Sequence, residues 1–218
     1  MDSTFYFSKQ YTKLKEAIFD ILLQNGMKKT TMDMVASKLS MSKRTLYEIF
    51  DNKEQMIKVI LEHSHKNHQA ELNRIFTSSD TMMEAFFLVL KLHLKIMMRA
   101  SSDFIMDMDS KYAKMRPHYD DQNNDWQRSV LEMIKIGIRQ GVFSKDIKYP
   151  ILVRMFNIQM ESLKRMEEFL PKDVTLSEAF NTVSIAFLRS IATEQGLKVL
   201  EEIRKKYPSE STDNNQIK

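Results

Sequence analysis

Apolar residues recur along this chain at helical spacing from end to end. Leu14, Ala17, Ile18, Ile21 and Leu22 fall at i, i+3, i+4, i+7 and i+8, one stripe of an amphipathic helix over about residues 9–24. Gly26 stands where a left-handed C-cap would stop it. After the pair Lys28-Lys29, Thr30 and Thr31 are N-cap candidates for a short helix that turns Met34, Val35 and Leu39 inward. Ser40-Met41 interrupts, and Ser42 caps a second short helix, Lys43 to Phe50, whose inner residues are Leu46, Ile49 and Phe50. Asn52 opens a longer helix with Met56, Ile57, Ile60 and Leu61 apolar, running to about Phe76.

Farther on, breakers are sparse and the helices lengthen. Ser78-Ser79-Asp80 precedes a strongly apolar segment, Met82 to Met98, and a break is expected from Ala100 to Asp103. A short helix to about Lys114 must end before Pro117, because the residue ahead of a proline avoids the helical region. Asp120 to Gln140 reads as a helix with Gly141 as its cap, and Pro150 suits the first turn of another reaching Leu170. Pro171-Lys172-Asp173 separates it from Thr175 to Glu194, and Gly196 divides off a terminal helix ending near Tyr207. The pattern predicts nine or ten helices and no strand. It divides the chain into residues 1–52, residues 53–206 and a polar, flexible tail, 207–218.

Composition agrees. Four Gly and four Pro in 218 residues are roughly a third of average usage, which disfavours a turn-rich sandwich or barrel. At 43% hydrophobic the chain can build a sizeable core. The absence of Cys removes disulfides, thiol nucleophiles and thiolate metal sites, and fits a cytoplasmic location. The longest stretch without a charge, Ala179 to Leu188, is ten residues, too short to span a membrane. Net charge is +4, and between Lys28 and Lys53 six cations face three acids, a local basic patch.

Two short helices joined by a tight turn, Thr31 to Phe50, are too small for a core of their own, yet they can present the second helix to a DNA major groove. That helix begins Ser42-Lys43-Arg44-Thr45, offering free backbone N–H groups, a positive dipole end and two cations to phosphates and base edges. Arg44 suits guanine, Thr45 a base or a thymine methyl, and Tyr47 a phosphate.

The stretch from Thr31 to Glu54 resembles the DNA-binding signature of the TetR family of transcriptional regulators. Thr31, Val35, Ala36, Tyr47, Phe50, Lys53 and Glu54 stand at the family's places without a gap. Ser40 departs from it, since the family commonly has Gly in the turn. The resemblance implies an all-α fold: an N-terminal three-helix helix-turn-helix domain, then a C-terminal helical bundle for ligand binding and dimerisation. It implies a homodimer on a palindromic, inverted-repeat operator in double-stranded DNA, with Thr31, Ser42, Lys43, Arg44, Thr45, Tyr47 and Lys53 at the DNA. Ile151, Met155, Ile158, Ser162 and Met166, with Phe180, Val183, Phe187 and Ile191, are the expected dimerisation stripes.

Seventeen Met suggest an adaptable surface for a small apolar effector, with His93, Met97, Trp126, Met133, Met155, Phe156 and Met160 as candidate lining. No cofactor and no metal are expected. Glu62-x-x-His65 has the spacing of a di-iron bundle, but such sites need a second copy and two further Glu. Phosphate-cradling Gly-rich loops, Gly-x-Ser-x-Gly elbows and His-Glu-x-x-His are all absent, so an enzyme is not expected. The expected function is ligand-responsive repression. The alternative is a helical module for small molecules or protein partners whose helix-turn-helix is structural or binds DNA without sequence preference.

Overall fold

The computed structural model describes residues 3–108, 112, 119–165 and 170–208. Ten α-helices occur among them: α1 (Ser3–Asn25), α2 (Met32–Lys38), α3 (Lys43–Ile49), α4 (Lys53–Ser78), α5 (Met82–Arg99), α6 (Ser102–Met108), α7 (Tyr119–Arg139), α8 (Tyr149–Arg165), α9 (Leu176–Ile191) and α10 (Glu194–Lys206). The described residues contain no strand; a lone antiparallel bridge joins Phe143 to Ala192.

The caps explain the boundaries. Thr31, Ser42, Asn52, Thr81, Thr175 and Thr193 each accept a hydrogen bond from a backbone N–H in the first turn of the helix they start, satisfying donors with no intrahelical partner. Gly26 and Gly141 close α1 and α7 at φ +77° and +74°.

Two hydrophobic clusters result. The first gathers Ile18, Leu22, Val35, Leu46, Phe50 and Ile57, and takes in Ala100, Phe104 and Tyr112 from beyond α5. The second is built on α5, with Leu72 and Ile75 of α4 and residues from α7 to α10. α4 belongs to both, through Met56, Ile57, Ile60 and Leu61 at its start and Leu72 and Ile75 near its end.

α6 ties the two together at the turn after α1. The buried Asp107 carboxylate accepts the Lys28 N–H at 2.7 Å. Lys29 pairs with Asp103 at 2.6 Å, Ser101 N–H donates to Leu23 O at 2.8 Å, and Arg99 pairs with Asp20. At the other end, Glu84 on α5 is buried and anchors α10, accepting from Lys206 Nζ at 2.8 Å and Tyr207 OH at 3.0 Å. Its pKa is the net of opposing effects: burial raises it, but hydrogen bonds from Lys206, the Asp80 backbone and Tyr207 outweigh that and hold it below the usual range.

Three sequence expectations are revised. The division after α9 falls at Ala192-Thr193, not at Gly196, which lies in the first turn of α10. Gly is needed there for close approach, since a Cβ would stand 2.0 Å from Val142 O. Phe180, Phe187 and Ile191 face the chain's own core, with Val183 packed beside them, so they are not a free stripe. α1 begins six residues earlier than the stripe required, at Ser3. Of the expected extensions, residues 109–111, 113 and 114, and residues 166–169 with Met166 among them, lie outside the described residues, while Leu170 is described and is not helical.

Candidate nucleic-acid interface and effector cavity

The turn between α2 and α3 is closed by backbone hydrogen bonds from Ser40 N–H to Ser37 O (3.1 Å) and Met41 N–H to Ala36 O (2.9 Å). Ser40 is the only non-glycine residue at positive φ, +53°, among the described residues. A side chain thus occupies the left-handed position that favours glycine, at a cost of roughly 1–2 kcal/mol. Ala36, 3% exposed, carries the small side chain that lets the helices cross here.

α3 is fixed from beneath. Leu46 and Phe50 are fully buried, and Ser42 Oγ accepts from Thr45 N–H at 3.0 Å. The outward face holds Lys43, Arg44, Thr45, Tyr47 and Glu48, all exposed. Arg44 is 89% exposed at its side chain and Tyr47 51%. Both cations are internally paired, Lys43 with Asp33 at 2.6 Å and Arg44 with Glu48 at 2.9 Å. Such exposed pairs are worth at most about 1 kcal/mol each, so a phosphate or guanine can displace the acid. Lys53 donates to Lys28 O at 2.8 Å, and Thr31 spends its hydroxyl on the α2 cap.

The sequence model of the bacterial regulatory proteins of the tetR family matches residues 15–60. Residues 15–60 are thus a domain of the tetR-family type. Likeness of fold extends well beyond this domain. The ketosteroid transcriptional regulator KstR2 of Mycobacterium tuberculosis aligns over 84% of this chain and 94% of its own, with 18% identity and TM-score 0.57. A TetR-family transcriptional regulator from Agrobacterium tumefaciens aligns over 83% and 96%, with 8% identity and TM-score 0.65. The regulator FadR from Bacillus subtilis, in complex with stearoyl-CoA, aligns over 83% and 99%, with 14% identity and TM-score 0.57. At such identities the likeness is one of fold. No curated protein matches the chain.

The C-terminal bundle holds a cavity of about 80 Å³ between α4, α5, α7, α8 and α9. His93, Met133 and Phe156 line it, and Phe156 stacks on Phe187 with ring centroids 4.1 Å apart. Met97 and Met160 pack against the surrounding core without reaching the cavity. Met155 faces outward, 51% exposed, and the side chain of Trp126 lies outside the described residues. Phe76, Phe86, Val153 and Asn157 also line the cavity. Helical spacing from Phe156 and His93 would have found Val153, at i−3 from Phe156, and Val89, one turn before His93, which also lines the cavity.

His93 stacks on His68 of α4, centroids 5.5 Å apart. Burial, reinforced by the neighbouring His68, pushes the His93 pKa down to about 4. Burial also lowers His68. At neutral pH the cavity therefore presents a neutral imidazole. No group of three or more potential metal-ligating side chains occurs among the described residues, and no helix there is long and apolar enough to cross a membrane.

Proposed function

We propose that this chain is a homodimeric, effector-responsive transcriptional repressor acting in the cytoplasm on an inverted-repeat operator. The observation that supports it best is the α3 face, with Arg44 and Tyr47 exposed above a buried Leu46 and Phe50. In this reading Lys43 to Ile49 lie in a major groove. Arg44 and Thr45 read base edges, while Thr31, Ser42, Lys43, Tyr47 and Lys53 hold the backbone. Residues 1–52 form the reading head and 53–206 the effector and dimerisation domain.

Ile151, Met155 and Ile158, spaced i, i+4 and i+7, are 61%, 51% and 42% exposed on α8. An apolar stripe of this kind suits the surface that a second copy covers. A small apolar effector enters the cavity beside His93, Met133 and Phe156. Because 80 Å³ is below the roughly 300 Å³ of the smallest drug-sized sites, the effector must dilate it. Dilation moves α4 and α5, and binding opposes repression by as much as the effector prefers the dilated state.

The test is a gel shift against duplexes from the DNA flanking the gene, with a thermal-shift screen of apolar compounds to find the effector. Arg44→Ala should weaken specific binding by roughly 1–3 kcal/mol and relax base preference at one position. Unchanged affinity and preference would remove Arg44 from the reading face. Sequence-blind binding with a steep salt slope would favour the structural helix-turn-helix instead.

A further inference from the structure

A second, much larger concavity lies outside the effector cavity, a groove of about 1340 Å³ between α4, α5, α9 and α10. Its floor is apolar, formed by Phe87, Leu88, Leu94, Ile185 and Leu188. Its rim is cationic. Arg74, Lys91, Lys95 and Arg99 contribute from α4 and α5, and Arg189, Arg204 and Lys205 from α9 and α10, against two acids, Glu71 and Glu201. Arg99 is already paired with Asp20, which leaves a surplus of four, equal to the net +4 of the entire chain.

The two acids do not consume the surplus. Glu71 holds Arg74 at 2.6 Å, and Glu201 is shared between Arg189 at 2.5 Å and Arg204 at 3.2 Å. Lys95 and Lys205 are exposed and form no ion pair within 4 Å among the described residues, although Lys95 is near enough to Glu71 to help lower its pKa. Ser184 also lines the groove. It is 4% exposed, and its Oγ has no hydrogen-bond partner among the described residues.

We propose that this groove binds a single-chain amphipathic anion, a free fatty carboxylate, with its hydrocarbon chain on the α5–α9 floor and its carboxylate at the Lys95/Lys205 rim. An apolar floor alone would take any hydrocarbon. The cationic rim selects the anion, because guanidinium and ammonium donors form their strongest hydrogen bonds with carboxylates. The site is separate from the cavity beside His93, whose imidazole is neutral, and does not depend on the operator reading.

The test is titration calorimetry of the full-length protein with dodecanoate and with uncharged dodecanol, comparing the native chain with the double variant Lys95→Glu, Lys205→Glu. Both lysines are exposed, so the fold tolerates the change. Dodecanoate should bind the native chain about tenfold more tightly than dodecanol, and the double variant should lose that preference. Equal affinity for the two ligands, or dodecanoate binding untouched by the charge reversals, would overturn the proposal. So would dodecanoate dissociating a dimer, which would assign the groove to a second copy, or the reversals weakening only binding to a random duplex, which would assign it to nucleic acid.

Discussion

Replacing Gly26 by Ala tests how the DNA-binding domain is fastened to the rest of the chain. Gly26 has φ +77°, and a Cβ built on it would stand 2.8 Å from Asp103 Cβ and 3.1 Å from Asp107 Oδ2. Three effects combine. The left-handed conformation costs an alanine roughly 1–2 kcal/mol, and the stiffer unfolded chain returns about 0.4–1 kcal/mol. The clash is with the root of the Asp103 side chain, so α6 must move, and the Asp107 carboxylate loses its 2.7 Å hydrogen bond from Lys28 N–H. A charge-assisted bond of that kind is worth about 1.5–3 kcal/mol. The net loss is roughly 2–4 kcal/mol in urea denaturation. Gly141→Ala supplies the control, because Gly141 has φ +74° but a new Cβ would meet only the flexible end of Gln195, at 3.3 Å. It carries the strain without the clash, about 1 kcal/mol. If Gly26→Ala proves no more destabilising than Gly141→Ala, the fastening between α6 and the α1–α2 turn does not carry the load assigned to it.

Ser40→Gly should relieve the left-handed strain at φ +53° and, after the entropy lost by a more flexible unfolded chain, stabilise by up to about 1 kcal/mol, a few degrees in Tm. A fall in Tm would show that the serine side chain contributes something the turn geometry does not reveal. His93 gives a pH dependence. Its folded pKa is about 4 against about 6.5 unfolded, so between those values the unfolded chain binds more protons and stability falls as pH drops. The loss approaches about 3 kcal/mol by pH 4, and His93→Gln should flatten the slope in urea denaturation at a series of pH values. Parallel slopes for the two proteins would refute the assignment.

Local chemistry made much of this legible. The helix-turn-helix was readable because caps, breakers and core positions lie within twenty residues of one another, and Thr31, Ser42 and Asn52 do in the fold what their side chains favour anywhere. The C-terminal bundle was readable as helices but not as faces. α9 is apolar on several sides, and its periodicity does not say which stripe turns inward; Phe180, Phe187 and Ile191 proved to be core. Gly196 misled for a related reason. A glycine in sequence signals either a break or a close approach, and only the position of Val142 distinguishes them. The cationic groove was invisible because its seven cations are drawn from four helices and spread across more than 130 residues of sequence.

The pairing of charges around α3 bears on how such a head would find its site. In sequence, six cations against three acids between Lys28 and Lys53 look like a patch that attracts DNA from a distance. In the fold, Asp33 sits on Lys43, Glu48 on Arg44 and Asp103 on Lys29, so the reading face projects a weak field into solvent. Screening over about 10 Å at ordinary salt weakens it further. The exposed pairs are worth at most about 1 kcal/mol each, less than the roughly 1–3 kcal/mol of a bidentate contact to guanine. In the proposed complex, exchange of Glu48 for a base edge is therefore favourable at the right sequence. At a wrong one it is not: Arg44 gains little from DNA that offers no matching acceptors, and it keeps Glu48. On this argument the acids beside the reading helix suppress indiscriminate binding, and Glu48→Gln should raise affinity for random duplex more than for the operator.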